Sequence, residues 1–359
     1  MKDLLTRLLE VPGLSGHEDR IRRVIASELD AIGVTHQTDR LGNLWTTLEG
    51  TGPSVLLFTH MDQLGFVVRK IDHDGFLRLT RLGGVPERAL ASQEVIVSTP
   101  FGDVPGIIAN KSHHATKPDE KYTVVPVGAL YVDRGFESRA DAEEAGVRIG
   151  SPVVYAPRSV AMGEHRIAAP ALDDRAGCAV LLEVARAVSE SGAYPNLHIA
   201  FTTQEEFNLR GALPLAERLK PDIAIQVDLM LACDTPDMGE LGEMRLGGGP
   251  GMSLYSFHGR GTLNGVIPHP AMVRLIEATA EAEGIPLQRS AQTGVLTDLS
   301  YVQLVGGGVA SIDVGFPLRY SHASREVVDL RDLRALQQLL VAALARIDVG
   351  FDFERDGES

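Results

Sequence analysis

Two adjacent glutamates, Glu205-Glu206, close an apolar run in the stretch Thr202-Thr203-Gln204-Glu205-Glu206-Phe207, where the pattern is that of a buried strand. Taking an ionised carboxylate out of water is costly unless a cation or hydrogen-bond donors compensate, so such a pair calls for a partner. Residues that could complete a cation site stand at the ends of other apolar runs: His60 with Asp62, Asp173 with Asp174, Asp228, and His322. Imidazole and carboxylate ligands without cysteine suit zinc, cobalt or manganese in a catalytic site that keeps one position open. Two metals need a carboxylate that can bridge them, and Asp173, at the head of a helical pattern, is the candidate. Adjacent glutamates on a loop can diverge, so that one holds metal while the other faces a substrate as general base. Together these residues point to a metal-dependent hydrolase.

The elements that must position these groups are legible in the hydrophobic pattern. Val55-Leu56-Leu57-Phe58, Ile199-Ala200-Phe201, Ile223-Ala224-Ile225 and Val309-Ala310-Ser311-Ile312 are short continuous apolar runs, as expected of strands covered on both faces. Helical patterns lie between them: Val180, Val184 and Val188 mark an amphipathic helix after Asp173, and Leu333, Leu336, Leu340 and Leu344 mark the last one. The alternation predicts a doubly wound α/β domain. In open sheets of that kind sites collect at the carboxyl ends of strands, and His60, Glu205-Glu206 and Asp228 each follow such a run. Near the N-terminus, Ser15 and Glu18 have capping-box spacing ahead of Ile21, Val24, Ile25 and Leu29. From about residue 67 the texture changes to short β-rich runs with an Asp74-Gly75 hairpin signal and frequent Gly and Pro. Leu77 and Leu79 alternate with polar residues as half-buried strands do, and Val95 and Val97, at the same spacing, are expected to face inward in the same way. The expected division is residues 1–66 and 159–359 as one α/β domain, with a small β domain inserted at 67–158.

Composition narrows the function classes. With 359 residues, 44% hydrophobic and 23% charged, the chain has ample material for a core of the ordinary water-soluble kind. A net charge of -14 disfavours nucleic acid and anionic membrane surfaces as partners, because both require a basic footprint. Two cysteines without CxxC spacing, Cys178 and Cys233, do not make a disulfide framework. The N-terminus does not read as a signal peptide, and no stretch has the ~20 apolar residues needed to span a bilayer. The expectation is a cytoplasmic protein.

The strings Thr59-His60-Met61-Asp62-Gln63-Leu64-Gly65-Phe66, Ala171-Leu172-Asp173-Asp174-Arg175-Ala176-Gly177, Gln204-Glu205-Glu206, Val227-Asp228, Thr297-Asp298 and Arg319-Tyr320-Ser321-His322 carry a family resemblance. In this order, over nearly the whole chain, they resemble the tetrahedral (TET) and glutamyl aminopeptidases, a family of dinuclear metallopeptidases of which some members bear the older label endoglucanase. The resemblance implies a zinc-peptidase-like mixed sheet flanked by helices, with an inserted small PDZ-like β-barrel that serves dimerisation and builds twelve-subunit shells. It implies that His60, Asp173 and Asp228 hold one divalent ion and Asp173, Glu206 and His322 a second, zinc foremost, with cobalt or manganese as the other candidates. Asp62 would orient His60, and Glu205 would be the general base acting on short peptide substrates.

Three positions depart from the family pattern: Gln63 where Glu is frequent, Leu299 where Ala is frequent, and a lysine-less Gly247-Gly248-Gly249 loop. All three are expected to line the site and to bear on substrate preference. His113-His114, in the inserted segment, is expected to be a surface loop, with a reach towards a site, its own or a neighbouring subunit's, as the other reading. The competing functions are a deacylase or carboxypeptidase on the same metal core, a glycosidase, which needs two carboxylates flanking a sugar and no metal, and a non-catalytic shell protein.

Overall fold

A computed structural model describes residues 1–192, 194–259 and 264–356. Its centre is a mixed sheet whose four inner strands, Asn196–Thr202, Ser54–His60, Ile223–Leu231 and Ala310–Leu318, run parallel in that order. Leu44–Leu48 and Gly251–Phe257 flank them antiparallel. Parallel strands buried on both faces need apolar side chains at successive positions, which is why Val55, Leu56, Leu57 and Phe58 form an unbroken run. Val55 and Leu57 join the larger core, packed by helices Lys2–Leu9, Asp19–Ala31, Leu172–Ser191, Pro270–Glu283 and Leu330–Leu344. Leu56 and Phe58 face the smaller core with Ala212–Leu219 and Leu299–Val302. Each of these four side chains is fully buried, contributing ~1.5–3 kcal/mol by transfer from water. Helices on both faces give the doubly wound architecture that the alternation predicted.

Gly65–Ile71, Leu77–Leu82, Tyr131–Asp133, Gly102–Ile108, Glu94–Thr99 and Pro152–Tyr155 close into an antiparallel barrel in that order. Gly75, at φ +81, turns the first hairpin. Its interior is apolar, built on Phe66, Leu77, Leu79, Val95, Val97, Val132 and Val153. Val95 and Val97 face inward as expected, but their strand is not half-buried there, because Ile96 between them is also buried, packed on Leu14 and Val154 outside the barrel. That seam fastens the barrel to the N-terminal segment.

Two local expectations change. Ser15 and Glu18 form no capping box: the helix Asp19–Ala31 has no side-chain cap bond, because both side chains are engaged elsewhere, as described below. The helix Leu172–Ser191 is not amphipathic over most of its length, since from Leu172 to Leu182 every residue is buried. It lies between the sheet and the outer helices, which removes any solvent-facing side there.

Candidate metal centre and active site

The carboxyl ends of the parallel strands bring the singled-out residues together. Thr202 pairs with His60 and Gln226 with Phe58, so Asp228, two residues further on, lies level with His60. The strand does not end at Asp228 but continues to Leu231, paired there only with Ala310–Leu318. Asp228 thus stands where the Ser54–His60 strand has parted from its neighbour, which opens space beside it.

Asp173 is central. Its Oδ1 lies 3.1 Å from His60 Nε2 and its Oδ2 lies 3.3 Å from His322 Nε2. Two groups therefore share it, His60 with Asp173 and Asp228, and Asp173 with Glu206 and His322, each offering ligand atoms within 4.8 Å of one another. The tautomers suit metal binding. His322 Nδ1 lies 2.9 Å from the Gly84 carbonyl and donates to it, so Nε2, which faces Asp173 and Glu206, is the nitrogen left for a metal. His60 Nδ1 faces Asp62 Oδ1 at 3.4 Å. Glu206 Oε1 is buried without a hydrogen-bond partner, so the group awaits a cation rather than a donor. Hard oxygen and borderline nitrogen donors fit a pair of divalent ions.

The electrostatics agree. Burial pushes Glu205 and Asp228 well above the carboxylate range against the pull of His60, and it lifts Glu206 to about 7. Burial alone would lower the His60 imidazole, but Asp173 and Asp62 outweigh it and hold the ring well above its ordinary value. Burial works against ionised Asp173 too, yet His322 and His60 keep it below the carboxylate range. So many carboxylates around one cleft want positive charge, which bound cations would supply.

Asp62, fully buried, does more than face His60. Its Oδ1 accepts the Glu205 amide at 3.0 Å, and its Oδ2 accepts the Glu206 amide at 3.1 Å and the Ser15 hydroxyl at 2.5 Å. Glu326 went unnoticed in the sequence. Buried, it accepts the Asp173 amide at 3.0 Å and the His322 amide at 2.6 Å, tying two of the three residues of the second group together. Only its place four residues after His322 could have signalled it. Asp174 is not brought to either group; it takes hydrogen bonds from Thr59 and the Gly177 amide. Gly177 is required there, because a Cβ would sit 2.4 Å from both Asp174 and Thr59.

These groups open on a cavity of about 660 Å³ lined also by Leu209, Leu229, Leu231, Val295, Leu296 and Tyr301. Glu205 lines it without belonging to either ligand group. A larger cavity, about 940 Å³, lies at the opposite ends of the strands around Lys220 and Ala310, away from these ligands. The three departing positions do not line the active cavity. Gln63 accepts from the Gly13 amide, Leu299 packs in the smaller core, and the Gly247 and Gly249 amides are held by Asp332. His113 and His114 sit in an exposed turn outside it. Cys178 and Cys233 are buried free thiols.

Asp313, on the Ala310–Leu318 strand, is a buried acid outside both groups. Burial lifts it from an ordinary 3.8 to about 7, against the hydrogen bond from Thr297. A raised carboxyl keeps its proton in the fold, so its stabilising contribution is complete below about pH 4 and is lost as pH rises through about 7. Asp313→Asn, which keeps an acceptor for Thr297, is therefore expected to gain on the parent by ~2–3 kcal/mol between pH 5 and pH 8. Denaturant midpoints at fixed metal loading check this; a constant difference across that range would refute it.

A model of the M42 glutamyl aminopeptidases matches residues 42–339. The chain belongs to that family. SgcX of Escherichia coli (strain K12), which carries a provisional aminopeptidase name, is 37% identical over 99% of this chain and 96% of its own. Among solved structures, a TET aminopeptidase from Thaumarchaeota archaeon SCGC AB-539-E09 superposes with a TM-score of 0.91 at 31% identity, covering 97% of each chain. The Pyrococcus horikoshii TET1 peptidase, which can assemble into a tetrahedron or a large octahedral shell, gives 0.86 at 28% identity over 96% of this chain and 98% of its own. The M42 chain described here is thus a peptidase with the TET fold. No helix among its described residues is long and apolar enough to cross a membrane.

Proposed function

We propose that this M42 peptidase is a dinuclear-metal aminopeptidase that removes N-terminal residues from short peptides. The observation that carries the reading is the split of the Asp173 carboxylate, one oxygen towards His60 and the other towards His322, with Glu205 beside them in the same cavity. His60, Asp173 and Asp228 would hold one divalent ion and Asp173, Glu206 and His322 the other, zinc foremost, with cobalt or manganese as alternatives. Such ions supply Lewis-acid polarisation of a peptide carbonyl and make water acidic enough to attack near neutral pH.

The chain's own residues do the rest. Asp62 holds the His60 ring and the amides of the glutamate pair. Glu205 takes the proton from the attacking water and returns it to the departing amine, so one carboxyl serves both halves of the reaction. The acidic rim favours the cationic free α-amino group of a peptide. By likeness to the TET peptidases the barrel forms the dimer contact from which a twelve-subunit shell is built, and the enzyme works in the cytoplasm.

Chelation is expected to abolish hydrolysis of aminoacyl-arylamides, and added zinc or cobalt to restore it. Free-amine peptides are expected to be cleaved and their N-acetylated counterparts spared. Preference for the acetylated peptides would replace this reading with a deacylase, and activity that survives complete metal removal would remove its basis.

A further inference from the structure

Three consecutive backbone amides at the glutamate pair donate to carboxylates from other segments. Glu205 and Glu206 donate to the two oxygens of Asp62, and the Gln204 amide donates to Glu18 Oε1 at 3.1 Å. Gln204 needs holding, since its φ of +56 lies in the left-handed region that a residue with a Cβ adopts only at a cost. Glu18 is 5% exposed, and the same oxygen also accepts the Gly16 amide at 2.7 Å. The segment that delivers it is itself fastened to the turn after His60: Gln63 donates to the Gly13 carbonyl at 2.9 Å and Ser15 to the Gln63 carbonyl at 3.2 Å. A carboxylate is thus carried from the N-terminal segment into the interior, next to Asp62, and used to grip the peptide immediately before Glu205. Arg175, wholly buried, places its positive charge near both.

We propose that Glu18 is a positioning residue for the Glu205 carboxylate: by locking the Gln204 peptide it fixes the direction from which that carboxylate enters the cavity. Glu18 is neither a metal ligand nor a lining residue of the cavity. The inference rests on the role proposed for Glu205.

Glu18→Ala is expected to lower kcat by ~30–100-fold, the scale of a misplacement of about 1 Å. KM should stay within about threefold and the bound metal per chain should be unchanged, since the lost interaction serves the reaction and not binding. Glu18→Gln, which keeps an acceptor oxygen at the same reach, should stay within about threefold of the parent. Glu18→Asp keeps the carboxyl group but withdraws the oxygen by one methylene, and should fall with Glu18→Ala. A parental kcat in Glu18→Ala, equal losses in Glu18→Gln and Glu18→Ala, or a kcat loss matched by metal loss would each overturn the proposal. If Glu18→Ala does not fold, the Gln and Asp variants carry the comparison. Glu205→Gln, assayed alongside, separates the two layers: if it is fully active the reading of Glu205 fails, whereas if it is inactive while Glu18→Ala and Glu18→Asp are normal, only the positioning role fails.

Discussion

Glu205→Gln is expected to bind its full complement of metal and to lose about three orders of magnitude in kcat, within the ~10²–10⁴-fold that a positioned general base supplies. The substitution exchanges a carboxylate for an amide of the same shape at a residue outside both ligand groups, so ion binding has no reason to change. Removing a buried carboxyl that burial already pushes upward should also leave the fold intact or steadier. The diagnostic pairing is therefore metal content against turnover, measured on one preparation. Loss of metal in proportion to activity would make Glu205 a ligand, and undiminished turnover would strip it of any part in the chemistry.

Asp173→Ala should do the opposite, emptying both ion positions at once. Its two oxygens face two separate histidines, so one substitution removes a donor from each group. Affinity for both ions should fall by more than the ~10–100-fold typical of losing even an outer-layer partner. His322→Ala is the control, because it belongs to one group only and should release one ion of two. Equilibrium dialysis with elemental analysis reads both variants. Equal stoichiometry in Asp173→Ala and His322→Ala would show that Asp173 does not bridge.

The sheet and its edge are legible in the chain's hydrophobic pattern. Continuous apolar runs such as Val55-Leu56-Leu57-Phe58 can bury side chains on both faces only in parallel strands between helices, and the strand-end rule then assigns their polar neighbours to one edge. What the sequence hid were the contacts that depend on chain segments far apart. Ser15 and Glu18 have the spacing of a helix cap, and local pattern gives that answer; only the tertiary fold shows the serine bound to Asp62 and the glutamate to Gln204. Glu326 closes a polar stretch with no periodicity, so beyond its place four residues after His322 nothing local marks it as the tie between Asp173 and His322. The burial of the helix after Asp173 was missed for a related reason. Its small residues, Ala176, Gly177 and Ala179, carry little hydrophobic contrast, yet they are what lets neighbours close over it.

The bond from His322 to the Gly84 carbonyl crosses from the sheet's edge to the loop that leaves barrel strand Leu77–Leu82. A Cβ on Gly84 would come within 3.0 Å of that imidazole, so the two parts meet with no room to spare. The insertion is therefore not a detachable appendage of the catalytic sheet. It decides which nitrogen of one imidazole keeps its hydrogen, and an enzyme pared down to the sheet would have lost a decision about protons before it lost anything else.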